Sequence, residues 1–121
     1  MSGVVTPASV EARLVALSKQ LDEAHGELVD AERSFFDAKG DYEIAIAAAR
    51  MREGARAADK GVKVTVQERE DAALLATAEQ LKRLYVAEAV VRASRANVAR
   101  LRTQVDIARS VGTSVRTAMD L

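Results

Sequence analysis

From Val10 onward, apolar residues recur at alternating steps of four and three: Val10, Leu14, Leu17, Leu21, Ala24, Leu28, Ala31, Phe35, Ala38, Tyr42, Ala45 and Ala49. An unbroken register of this kind is the seam of a coiled-coil helix. One heptad position reads Ala24, Ala31, Ala38 and Ala45, and the other reads Leu14, Leu21, Leu28, Phe35 and Tyr42. Alternating small and large layers let two helix backbones approach closely while the larger side chains fill the flanks. This resembles the close-packed antiparallel arrangement known as an Alacoil.

The ends of the first helix are written locally. Thr6 can cap, and Pro7 suits the first helical position because its φ is already set. The stretch "ARAADK" favours helix up to about Lys60, and Gly61 can take the left-handed conformation that stops it. Thr65 and Glu68 then fit a capping box opening a second helix, since the threonine oxygen can take one orphan amide and the glutamate another. The pattern therefore predicts helix one over about 7–60, a turn over 61–65, and helix two from about 66 to 111 or on to 119.

The seam of helix two is less regular. Leu74, Leu81 and Leu84 begin it; after a three-residue slip it continues through Ala87, Val91, Ser94, Val98, Leu101, Val105, Ala108, Gly112, Val115 and Met119. A slip of three locally overwinds a coiled coil. Gly112 either ends this helix or is carried within it. The expected fold is all-α, one domain over 1–121: a long antiparallel two-helix coiled-coil hairpin that pairs into a four-helix-bundle dimer. A reversal near residues 61–64 makes the numbers of facing residues add to about 126, with Glu11 near Arg116 and Glu32 near Arg95.

Composition agrees with this reading. Half of the 121 residues are apolar, but these are mostly alanine, valine and leucine; Phe35, Phe36, Tyr42 and Tyr85 are the aromatics, and tryptophan and cysteine are absent. The core is therefore thin, and disulfide or thiolate chemistry is excluded. No apolar run reaches membrane-spanning length and no secretory leader is visible, so the expected location is the cytoplasm, with no membrane partner. The net charge is zero but polarised along the chain. Residues 1–48 carry nine acids against four bases, and residues 82–116 carry eight bases against two acids. The two halves attract.

Catalytic signatures are lacking. His25 is the single histidine, there is no phosphate-binding glycine loop, and no nucleophile elbow exists. A thin hairpin also has no cleft in which to desolvate a carboxylate. The chain reads as a non-enzyme with no cofactor and no metal. Apolar residues outside the seam are more informative: Val15, Val29, Phe36 and Ile44, with Ile46 nearby, on helix one, and Leu75, Val86, Val90, Ile107 and Val111 on helix two. A two-helix hairpin cannot bury both seam and flanks, so Val15, Val29, Phe36, Ile44, Val86 and Val90 are the candidate surface for self-association or for a host or phage protein.

Arg95, Arg102, Arg109 and Arg116 recur every seven residues on one flank of helix two. They can pair with Glu11 and Glu32 across the hairpin, fixing register. Alternatively they can track phosphates of nucleic acid. Zero net charge, acids on the neighbouring helix and the absence of interleaved aromatics favour the first role.

The layout of "LVDAERSFFDAKGDYEIA", a short basic turn before "VTVQERED", then "YVAEAVVRASRANVARLRTQVDIARSVG" resembles the small helical-hairpin proteins encoded by tailed bacteriophages, especially those of actinobacterial hosts. The resemblance implies a phage accessory protein, some of which are encoded near replication and recombination genes. The expected function is a non-catalytic coiled-coil interaction module that works as a homodimer; the alternatives are a DNA-binding accessory of recombination or replication that uses the arginine row, and a virion structural component.

Overall fold

The computed structural model describes residues 4–61 and 63–120; Gly3 and Val62, the latter part of the expected turn, lie outside them. Three helices follow one another: α1 (Pro7–Lys60), α2 (Val66–Ala76) and α3 (Ala78–Met119). Among the described residues there is no strand. α1 is anchored by a reciprocal cap, in which the Ser9 amide donates to Thr6 Oγ1 at 3.1 Å and the Thr6 amide to Ser9 Oγ at 2.9 Å. At its other end Gly61 has φ +59°, the left-handed conformation that costs other residues steric strain. Thr65 caps α2, accepting from the Glu68 amide at 3.1 Å.

Packing divides the chain into two compact units, one joining the chain up to Asp30 with the chain from Arg92 onward, the other being Ala31–Val91. In the first, Leu17 and Ala24 of α1 share a buried cluster with Val98, Leu101 and Val105 of α3. Leu14, Leu21, Leu28 and Ala108 pack against it. Near the start of α1, Val10 meets Gly112, so within this unit the two helical segments run in opposite directions. In the second unit Ile46 and Ala49 of α1 bury against Ala73 of α2, with Tyr42 alongside.

Four details depart from the sequence reading. First, what reads as one helix from Val66 is two, meeting at Thr77. Its amide is shared between the Ala73 and Leu74 carbonyls at 3.2 Å each, while its hydroxyl donates to Ala73 O at 2.8 Å. A buried hydroxyl must find a partner, and here it takes the preceding turn, tightening the chain locally. Helical bonding resumes at once, with the Leu81 amide donating to Thr77 O at 3.0 Å. α3 then continues past Gly112.

Second, the seam needs no slip. Ala73 and Thr77 are buried where Leu74 is exposed, and from Ala73 the inward positions keep steps of four and three through Gln80, Leu84, Ala87 and Val91 to Gly112. Following the leucines displaces the frame by one residue, because this layer is filled from the other side. α1 contributes the large Ile46 and Tyr42, and α2 contributes the small Ala73. Met119, at the end of α3, is exposed. Third, Ile46 belongs to the core at 5% exposure, not to an outer stripe.

Fourth, the pairing frame is shifted. The expected frame sets Val10 against Arg116, yet it lies against Gly112, one turn earlier. In the second unit Arg50 pairs with Glu70, where the expected frame has Ala76. Residues 63–65 are not helical, and chain outside a helix can advance up to about 3.3 Å per residue against ~1.5 Å inside one, so this stretch runs back over more helical residues than its own number.

Candidate interaction surfaces

The outward positions of the first unit fall on two flanks. On one, Val5, Val10, Ile107, Ala108 and Val111 line an apolar groove of ≈ 340 Å³, together with Ser9, Arg13 and Gln104. It exists because residues three and four apart share a helix face, so Ile107 and Val111 stand in line beside the seam residue Ala108. The other flank is polar: Glu11, Arg109, Thr113 and Arg116 border a second depression with Leu14 and Gly112. Glu11 and Arg116 therefore share a pocket, as their sequence positions suggest, yet they form no ion pair.

Of the arginine row, all four members are exposed. Arg95 interacts with a neighbour, as does Glu32. Arg102, Arg109 and Arg116 form no ion pair with another described residue. The charges of Glu11, Arg102, Arg109 and Arg116 are thus not consumed by close pairing with another described residue. Two ion pairs lie in the second unit: Arg50 Nε to Glu70 Oε1 at 3.1 Å and Arg56 to Glu53 at 3.9 Å. Both include an exposed arginine and contribute little, under about 1 kcal/mol each.

All six residues of the candidate association surface are exposed. Val15 and Val29 belong to the first unit and Phe36, Ile44, Val86 and Val90 to the second. None of them lines a described pocket or joins a core cluster. Phe36 stacks edge-on with the seam residue Phe35, with centroids 5.4 Å apart. The groove instead uses Ile107 and Val111, which the sequence marks as off-seam, and Val5, which precedes the first helix and carries no periodic signal.

Polar chemistry in the second unit is sparse. Ser34, Asp37, Asp41, Gln80 and Arg83 border a shallow depression of ≈ 240 Å³. Gln80 Oε1 and Arg69 Nε are buried without a hydrogen-bond partner among the described residues. Both sit where polar side chains occupy seam-side positions. His25 is half-buried in the first unit. Among the described residues no group of three or more His, Cys, Asp or Glu is placed to hold a metal ion. No helix is long and apolar enough to cross a membrane. No protein-family model, curated protein or solved structure matches this chain.

Proposed function

We propose that this chain is a non-catalytic helical interaction module that works as a homodimer, its long helices doubling back as one antiparallel hairpin and two hairpins pairing into a four-helix bundle. The observation that carries the reading is the imbalance between buried and exposed apolar residues. The largest fully buried side chains are Leu17 and Thr77, while Val15, Val29, Phe36, Ile44, Val86 and Val90 are all exposed. A single-layer helical pair with so much alanine in its seam is marginally stable, and a second layer supplies the missing burial. The opposite running of the paired segments inside each unit supports the hairpin. Resemblance to phage hairpin proteins supports an accessory role in the host cytoplasm. Sedimentation equilibrium tests the proposal: the expected mass is twice the 13.0 kDa of one chain, and a monomer at high micromolar concentration refutes it.

A second reading is favoured by Arg102, Arg109 and Arg116, which are exposed and form no ion pair with another described residue. Arginines one heptad apart stand ~10 Å apart along a helix and can follow a phosphate backbone. Titration with single- and double-stranded DNA at two salt concentrations decides it. Binding that weakens steeply with salt supports nucleic-acid contact, and no binding at low salt removes it.

A further inference from the structure

α3 carries a second seam. Counting outward from the buried one, Val86, Val90, Ala93, Asn97, Arg100, Gln104, Ile107 and Val111 again alternate steps of four and three. All eight positions lie on the one continuous helix, so their alignment follows from helical geometry alone. Its four large apolar members are 39–58% exposed, so no described residue of the chain covers them. The next row around the helix is small: Ala89, Ala96, Thr103 and Ser110, all exposed. Small residues beside an apolar stripe let another helix approach closely.

The stripe is self-complementary when reversed. We propose that the occupant is α3 of a second copy of this chain, packed antiparallel across a two-fold axis that passes between Asn97 and Arg100. In that pairing Val86 meets Val111 of the second copy, Val90 meets Ile107, Ala93 meets Gln104 and Asn97 meets Arg100. Each copy makes every contact twice, which is the requirement of an isologous interface. The apolar pairs fall at both ends and the polar layers in the middle. The groove beside Ile107 and Val111, lined also by Val5, Val10 and Ala108, then receives Val86 and Val90 of the second copy as knobs. Asn97 is already oriented, its Oδ1 accepting from Arg100 Nη2 at 2.8 Å. A polar central layer fixes register at some cost in affinity, because sliding the helices by one heptad would set Asn97 against Ile107 in one direction or Arg100 against Val90 in the other. This inference rests on the dimer reading and assigns it a face: α3 against α3, leaving Val15, Val29 and Phe36 outside the contact.

The chain has no cysteine, so engineered thiols report without background. In the double variant Val90→Cys, Ile107→Cys of the full chain, the two positions are roughly 25 Å apart along one helix, too far for a disulfide within a chain. Mild oxidation is expected to yield a covalent dimer. The control Val15→Cys, Val29→Cys is expected to stay monomeric on a denaturing gel. Ile107→Glu, at an exposed position, should retain the circular-dichroism helicity of the parent while weakening the dimer on the order of 100-fold. A chain that sediments as a dimer but cross-links through the control pair, or not through the 90/107 pair, overturns this face and leaves the dimer reading intact. A parent chain that sediments as a monomer overturns both.

Discussion

Gly112 and Gly26 are both helix-interior glycines, but they face opposite constraints. A Cβ at Gly112 would lie 2.9 Å from Val10 Cγ1, whereas one at Gly26, Gly40 or Gly54 meets nothing within 4 Å. Alanine is favoured over glycine in a helix interior by about 1 kcal/mol. Gly26→Ala should therefore raise the melting temperature, while Gly112→Ala should lower it because Val10 must move and the helices must part. Thermal denaturation of the two variants side by side checks this; equal gains would mean that the close approach is not there. The seam register already sets Gly112 apart from Gly26, Gly40 and Gly54. Only packing shows that Val10 is the side chain that its missing Cβ admits.

At the scale of an element, the caps and the break at Thr77 are separable contributions. Thr65→Ala removes the acceptor of the Glu68 amide and should cost about 1 kcal/mol of stability in chemical denaturation. Thr77→Val is expected to be close to neutral. The shape is kept, the buried hydroxyl that needed a partner is gone, and the Ala73 carbonyl still accepts the Thr77 amide. A loss above about 2 kcal/mol would instead make the hydroxyl's bond to the preceding turn a determinant of the α2–α3 junction. The capping residues are legible in the sequence because a cap is a local hydrogen bond between positions three apart. The junction is not, because nothing local marks Thr77 as buried; its burial goes with the inward turn of Ala73, which packs with Ile46 and Ala49 of α1.

At the scale of the whole molecule, stability should depend on protein concentration. If folding and pairing are coupled, the midpoint of thermal unfolding rises as the chain is concentrated, by mass action. Melting curves over a hundredfold range check it, and a constant midpoint argues for an independent monomer. The charge asymmetry of the two chain halves has a different bearing from the one composition suggests. In the first unit Glu11 forms no ion pair with Arg102, Arg109 or Arg116, so these four charges act on one another only as a diffuse attraction.

The sequence alone determined that this chain is helical, and it located the first helix and its inner face. A period near 3.5 sustained from Val10 to Ala49, with Thr6 and Gly61 at the ends, is a local property that needs no partner to be read. Tertiary structure decided which residues of the second half face inward. There large side chains from one helix are matched by small ones from the other, so Ala73 and Thr77 are buried while Leu74 and Leu75 stay outside. Hydrophobicity marks a residue's preference for burial, but the space it can occupy is set by the residue opposite. That complementarity also fixed the pairing of Val10 with Gly112, since only a position without a Cβ accepts the valine so closely.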